Sequence, residues 1–131
     1  MPKTSTLTDS YAFFGAEIRN PRWSWSAVSK DGKTVVVTLW GDEIAADGSV
    51  DFFGHPKVDR WKTQIGNRFR IKDLIHARDH CDGEFRVVRL TAVDTKAIPR
   101  AIKQREPDPD VVMRLTRLDE QTGEFVAQPV K

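Results

Sequence analysis

Four tryptophans in a chain of 131 residues are the feature of this sequence with the clearest chemical use. Trp23 directly follows Arg22, Trp25 lies two residues further along the chain, and a third indole is provided by Trp40. Indole rings stack on nucleobases and arginines contact phosphates, so this combination is typical of a surface that binds nucleic acid or a nucleobase-like ligand. The same rings also suit a hydrophobic core packed against a helix that carries Trp61, because each buries a large apolar area.

A second group of candidate contacts lies in the polar, proline-containing segment 94–110. Four cations against one carboxylate, Asp94, give its first part a local charge of +3. These cations are Lys96, Arg100, Lys103 and Arg105. We expect a connection of this length to be functional or simply solvated, and three acidic residues at its end dilute its potential. Phosphate contacts from such a loop would depend strongly on salt.

Two histidines four residues apart, His76 and His80, share one face of a predicted helix and could together ligate zinc. A metalloprotease would carry Glu beside the first histidine, where this chain has Ala77. A third ligand would have to come from Asp79, Cys81, Asp82 or the distant His55. The alternative is a helix end at which His80 interacts favourably with the helix dipole. We assign no metal and no cofactor.

Catalytic groups do not form a recognisable pattern in this sequence. Cys81 with a neighbouring histidine could act as nucleophile and base, and Asp42 with Glu43 as acid and base, but no motif orders either pair. The chain has no phosphate-binding glycine loop, no Gly-x-Ser-x-Gly and no Cys-x-x-Cys. We therefore predict no catalytic residue and expect a binding protein rather than an enzyme.

Two predicted strands joined by Lys30-Asp31-Gly32-Lys33 must position the tryptophans. Asp-Gly is a strong hairpin signal, because a type I′ turn needs positive φ at both central residues. With Asp31 and Gly32 as the loop, opposed residue numbers sum to 63. This register pairs Trp23 with Trp40, Trp25 with Thr38, and Ala27 with Val36 on one side of the ribbon. A slip of one residue would exchange the two faces.

The remaining pattern predicts an α+β fold: a bent antiparallel sheet or partly open small β-barrel of five to seven strands, with one or two helices around residues 57–80. Further strands are predicted over 11–19, 50–53, 85–93, 111–118 and 124–127. Gly66-Asn67 is predicted to end a first helix. The expected core residues are Trp61, Ile65, Leu74 and Ile75 from the helices and Val87, Leu90, Val112 and Leu115 from the sheet.

Length and composition bound the class of protein. We expect a flexible N-terminal arm over residues 1–10 and a single globular domain over residues 11–131, long enough to bury a core without disulfides. The single cysteine fits a reducing, cytoplasmic compartment. No apolar run is long enough to span a membrane. The net charge of +2 does not by itself imply nucleic acid, so local clustering must provide any electrostatic attraction.

Three segments, Arg22–Trp25, Val37–Glu43 and Ile98–Lys103, resemble small bacterial proteins with no assigned activity, so no function follows from them. The predicted strand order and aromatic content are similar to those of PUA-like domains, small β-barrels with inserted helices. This resemblance implies that the chain reads RNA or modified DNA bases.

The sequence thus predicts a non-catalytic binding module for nucleic acid or a modified nucleobase-like ligand. The predicted ligand-binding residues are Trp23, Trp25, Trp40, Arg22, Arg100, Lys103 and Arg105. A protein–protein interaction or accessory subunit is one alternative, and a small metal-dependent enzyme is the other. The oligomeric state is left open.

Overall fold

The computed structural model describes residues 7–17, 25–53, 64–94, 96 and 102–130. The helices in these ranges are α1 (Leu7–Ala12), α2 (Ile65–His80) and a short 3-10 helix (Gly41–Glu43). The strands are β1 (Ala16–Glu17), β2 (Ser26–Ser29), β3 (Val35–Trp40), β4 (Val50–Asp51), β5 (Glu84–Ala92), β6 (Ile102–Leu118) and β7 (Phe125–Pro129).

The strands form one open sheet in the order β1-β2-β3-β5-β6-β7-β4. The predicted α+β class is confirmed, but the sheet is mixed and not closed, because β3 and β5 pair in parallel while all other neighbours are antiparallel. Parallel neighbours need a long crossover connection. The segment between β3 and β5 meets this need, since it contains β4 and α2.

The hairpin between β2 and β3 has the predicted register. Ser26 pairs with Val37 and Ala27 with Val36, so paired numbers sum to 63. The turn itself differs from the prediction, because Gly32 has a positive φ of 72° whereas Asp31 does not. The carboxylate of Asp31 instead accepts hydrogen bonds from Ser29 Oγ and the Lys33 amide. A four-residue loop closed in this way keeps the same register as the two-residue loop that the sequence predicts.

Both faces of the sheet are covered where β2, β3 and β5 meet. On one side, which we call the helix face, Val35, Val37 and Leu39 pack with Leu74 of α2 in the main core. The largest other members of this core are Phe52, Phe85, Met113 and Phe125. On the opposite side, which we call the outer face, Val36 and Val88 pack against Tyr11 of α1. This double coverage explains the continuous Val-Val-Val run of β3.

Helix α2 runs without a break through the predicted stop. Gly66 and Asn67 lie in its first turn, so the prediction that they end a helix is wrong. Asn67 is fully buried and its Nδ2 donates to the Thr122 carbonyl, which satisfies a polar side chain that would otherwise favour a helix end. Residues 57–63, predicted to be helical, lie outside the described residues. The expected core residue Leu74 is buried, whereas Ile75 is half-buried.

Residues 102–110, part of the connection predicted over 94–110, are strand rather than loop. Strand β6 begins at Ile102, and its first half pairs with β5 as far as Ala92. Within the described residues β7 pairs with β6 only from Met113 onward, so the first half of β6 has one partner. Pro107 is tolerated there because an edge strand can place a missing N–H on its unpaired side.

The N-terminal region also departs from the prediction. Leu7–Ala12 is helical and strand β1 covers only two residues, so the strand predicted over residues 11–19 is wrong over its first part. Leu7–Ser10, expected to belong to the N-terminal arm, are part of α1. Tyr11 is fully buried against the outer face, which anchors this helix. In the part of the chain that is described, neither helix has the length and apolar character needed to cross a membrane.

Candidate nucleic-acid interface

Three neighbouring strands bring an indole and a guanidinium into line on the outer face. Trp40 at the end of β3 is in register with Leu90 of β5, and Leu90 is in register with Arg105 of β6. Side chains of residues in register project from the same face of a sheet. Trp40 and Arg105 are both half-buried, with Leu90 buried between them. The line therefore offers a partly exposed ring, an apolar floor and a cation.

Strand alternation separates the charges of β6. Arg105 lies on the outer face, while Glu106 and Asp108 belong to the alternate positions and lie on the helix face. Arg89, also on the helix face, donates from Nη2 to Oδ2 of Asp108 at 3.3 Å. Two of the three acidic residues that follow the basic run in the sequence, Glu106 and Asp108, thus lie on the other side of the sheet. The outer face keeps a positive local character.

A second cation on the outer face is held by an aromatic ring. Arg86 of β5 lies two pleats from Leu90 on the same side, and its Cζ is 5.3 Å from the ring centre of Phe14. This contact, together with the packing of Tyr11 on Val88, places α1 over one end of the outer face. Trp40 and Arg105 lie toward the other end of the same strands.

The structure brings together three of the seven predicted ligand-binding residues. Trp40 and Arg105 share the line across β3, β5 and β6, and Lys103 is exposed at the bulge that shifts the register between Thr91 and Ala92. Lys96 of the basic segment is also exposed. Arg22, Trp23 and Arg100 lie outside the described residues, as do the helix residues around Trp61.

Trp25 does not join this line. Its ring lies 4.9 Å from Cζ of Arg70 on α2, so its contact is with the helix. Trp25 directly precedes β2, and its carbonyl accepts hydrogen bonds from both the amide and the hydroxyl of Thr38. A residue that precedes the first residue of a strand has a strand neighbour on one side only, so its side chain need not follow the alternation of faces. This explains why the hairpin register predicted the wrong face for the Trp25 ring.

The sequence did not predict that Arg70 is buried. It is 5% exposed, and its Cζ lies 5.3 Å from the ring centre of Phe125 and 5.9 Å from that of Phe52. Its Nη2 donates to Oδ1 of Asn67 at 3.0 Å. Burial lowers the pKa of Arg70 to about 9, while the negative charge of Glu43 acts in the opposite direction. The guanidinium is therefore still charged at neutral pH and is stabilised by aromatic faces and an amide oxygen.

The polar residues that accompany Arg70 follow one side of α2. Asn67, Arg70 and Asp73 are three residues apart, and all three are buried. Asp73 accepts a hydrogen bond from Ser26 of β2. The three-residue spacing could have predicted a polar stripe on one side of this helix, because residues three apart are neighbours on a helix surface. The predicted helix break at residues 66–67 divided this pattern.

One member of the histidine pair, His76, contacts the hairpin turn. Nε2 of His76 donates to the Gly32 carbonyl at 2.7 Å, so this nitrogen carries a proton. The rings of His76 and His80 are 4.9 Å apart. No group of three or more histidine, cysteine or acidic side chains positioned for a metal occurs among the residues that the structure describes.

Cys81 is not activated as a nucleophile. Burial raises the pKa of its thiol, and the carboxylates of Asp82, Asp31 and Glu84 add to this shift. The thiol lines a shallow depression of about 140 Å³ near Lys33 and Arg86, at the end of the strands away from Trp40. A raised thiol pKa lowers the fraction of reactive thiolate.

Comparisons of this chain with protein family models, with curated proteins and with solved structures found no match. Functional inference therefore rests on the chain's own residues and their arrangement.

Proposed function

We propose that this protein is a non-catalytic binding module that recognises nucleic acid or a nucleobase-like ligand on the outer face of β3, β5 and β6. The observation that carries the proposal is the line formed by Trp40, Leu90 and Arg105 across three neighbouring strands. A base stacked on an indole contributes about 1–3 kcal/mol of binding free energy. A guanidinium two strands away is suited to the phosphate attached to that base.

The separation of charge on β6 supports the same ligand class. Arg105 and Arg86 both lie on the outer face, at different positions along the strands, while Asp108 is directed to the helix face and bonded to Arg89. Lys103 adds an exposed cation near the end of the line. Reading of a single modified base, as in PUA-like domains, is the finer form of this proposal. It would appear as a preference for a modified base over its unmodified counterpart in the same strand.

Binding of labelled single-stranded and duplex oligonucleotides, followed by fluorescence anisotropy over a salt series, tests the proposal. We expect affinity at low salt that falls linearly in a plot of log K against log salt concentration. Arg105→Ala should weaken binding for all sequences and reduce that slope by about one. Arg89→Ala is the matched control, because it removes the same charge from the helix face of the adjacent strand. Absence of binding at low salt would overturn the proposal.

The role of Trp40 is tested separately. Trp40→Phe keeps an aromatic face and should retain most of the affinity, whereas Trp40→Leu removes the stacking surface and should weaken binding. Equal affinities for the two variants, both folded, would show that Trp40 does not stack on the ligand.

A different partner class would give a different result. A protein partner that binds independently of salt, with no oligonucleotide binding, would indicate an accessory subunit whose anchors are these aromatic and arginine residues. Stoichiometric metal in protein purified without a histidine tag would indicate the metal-dependent enzyme.

A further inference from the structure

The line of Trp40, Leu90 and Arg105 lies directly beside the part of the outer face that is covered. The next row of the sheet contains Thr38 and Val88, which are in register with each other and are 8% and 0% exposed. Residues two apart on a strand face the same side and lie about 6.6 Å apart. The outer face therefore changes from covered to partly exposed within one such step along the strands.

Helix α1 provides the cover. Tyr11 is fully buried and packs on Val36 of β3 and Val88 of β5, and α1 also contacts β6. The helix thus lies over the same three strands that carry the line. An α-helix with its side chains is about 10–12 Å across, so α1 stands above the sheet as a wall. The ring of Trp40 lies at the foot of this wall.

This geometry distinguishes unpaired bases from paired ones. In a duplex the bases are stacked on each other, so only their edges are accessible, at the bottom of the grooves. A major groove about 12 Å wide admits an α-helix or a two-stranded ribbon. Three strands already span about 9.6 Å between their backbones before side chains are added, and α1 stands beside them. The outer face is therefore too broad to reach base edges, whereas an unpaired base can lie flat on an indole ring.

The other two residues of the line fit the rest of a nucleotide. Leu90 is 8% exposed and lies between Trp40 and Arg105, so it forms an apolar floor beside the ring. Two strand spacings put the backbones of Trp40 and Arg105 about 9.6 Å apart. A base on the ring leaves its sugar above Leu90 and an adjoining phosphate toward the guanidinium. The line thus matches a footprint of one or two nucleotides.

We propose that the ligand of this face is an unpaired nucleotide, in a single strand or in a bulge, and that the paired bases of a duplex are excluded; this inference rests on the proposed function. Trp40 stacks on the base and Arg105 contacts the phosphate. A base within a duplex reaches the ring only after its pairing and stacking have been broken, which costs free energy that an unpaired base does not spend.

Competition at one low salt concentration tests the inference with the full chain. A labelled single strand without self-complementarity is displaced by the same unlabelled strand, by its perfect duplex, and by that duplex with one bulged nucleotide. The single strand should bind at least tenfold tighter than the perfect duplex, and the bulged duplex should lie between them. Charge alone favours the duplex, because its phosphates are more densely spaced, so the opposite preference requires the unpaired base.

Two tryptophan variants form a matched pair. Trp40→Leu should lower affinity for the single strand and leave that for the duplex unchanged, so most of the preference is lost. Trp25→Leu should keep the preference, because this equally half-buried ring contacts Arg70 on α2, 4.9 Å from its Cζ. Quenching of indole fluorescence by the single strand provides a second readout. It should decrease in Trp40→Phe, which keeps a stacking ring and most of the affinity.

Thermal unfolding shows which variants are folded. A perfect duplex that binds as tightly as the single strand, or a preference that persists in folded Trp40→Leu, would overturn the inference and leave the proposed function standing. If Trp40→Leu does not fold, the Trp40→Phe variant decides, since unchanged quenching would show that the base does not stack on Trp40. Absence of binding to all three nucleic acids would remove both the inference and the proposed function.

Discussion

Ser26 Oγ donates a 2.5 Å hydrogen bond to Oδ2 of Asp73, and this bond joins the first residue of β2 to the middle of α2 in the buried interior. The two residues are 47 positions apart in the chain. A hydrogen bond to a buried carboxylate is worth more than one at the surface, because water does not replace it when it is lost.

We predict that Ser26→Ala lowers the free energy of unfolding by about 1.5–3 kcal/mol, the range for a hydrogen bond to a charged group. The control is Ser49→Ala, which removes the same type of bond, 2.6 Å from Ser49 Oγ to Asp47, at an exposed position. That change should cost about 0.5 kcal/mol or less. Urea denaturation measures both, and equal losses would contradict a stabilising role for the buried bond.

Gly123 and Gly15 form a second matched pair. Both have positive φ, 83° and 77° respectively, but a methyl group at Gly123 would overlap the buried amide of Asn67, whereas one at Gly15 meets no atom within 4 Å. Gly15→Ala should therefore cost only the backbone strain, about 1–2 kcal/mol. Gly123→Ala should cost clearly more, because Asn67 also holds Arg70 and the Thr122 carbonyl. Thermal unfolding of the two variants compares them directly, and a similar cost for both would show that Asn67 can move aside.

The buried guanidinium of Arg70 predicts a pH dependence at alkaline pH. Its pKa in the folded chain is about 9, well below that of an arginine in the unfolded chain, because burial disfavours the charged form. Between these values the unfolded chain holds the additional proton, so this residue's contribution to stability rises with pH. Below about pH 9 both states are protonated and the contribution is constant.

The comparison of wild type with Arg70→Met isolates this effect, since lysines and tyrosines titrate in both. The difference in unfolding free energy, wild type minus variant, should increase above about pH 9 by at most about 1.4 kcal/mol per pH unit. Urea denaturation at a series of alkaline pH values measures it. Parallel profiles would mean that Arg70 keeps its proton throughout.

Cys81 should react slowly with alkylating reagents. Burial and the nearby carboxylates raise its thiol pKa, so at mildly alkaline pH it holds less thiolate than the same residue in the denatured chain. The pH profile of iodoacetamide labelling should therefore have a higher midpoint in the folded protein. Asp82→Asn should lower that midpoint, and it keeps the left-handed backbone at φ 58°, a conformation that asparagine accepts well. An unchanged midpoint would show that the charge of Asp82 does not reach the thiol.

The local parts of the fold were readable from the sequence, and the non-local parts were not. The register of β2 and β3 followed from Asp31-Gly32 and the β-branched run after it, because hairpin geometry depends on adjacent residues. The extent of β6 could not be read, because Pro107 and its charged neighbours resemble a loop until β5 is known to pair with them on one side. The parallel pairing of β3 with β5 likewise depends on where α2 packs.

The candidate site, too, could be predicted only in its local parts. Trp40 and Arg105 were each recognisable by type, yet their common line requires the β3–β5 and β5–β6 registers together. Trp25 was assigned to the same face by extending the hairpin register, and its contact with Arg70 depends on a helix 45 residues further along the chain. Arg70 itself was unreadable as a buried cation, because arginines on predicted helices are usually exposed.

The parallel junction at the centre of the sheet has a consequence for how the molecule forms. Val36 and Arg86 are neighbours in the sheet but are 50 residues apart in the chain, so their strands can meet only after the whole intervening segment has been brought back on itself. Closing so large a loop costs chain entropy before the contacts that stabilise the closed loop have formed, and this slows folding. An isolated hairpin over residues 25–40 would carry Trp40 without Arg105. We therefore expect ligand binding to appear together with the last cooperative step of refolding rather than with hairpin formation.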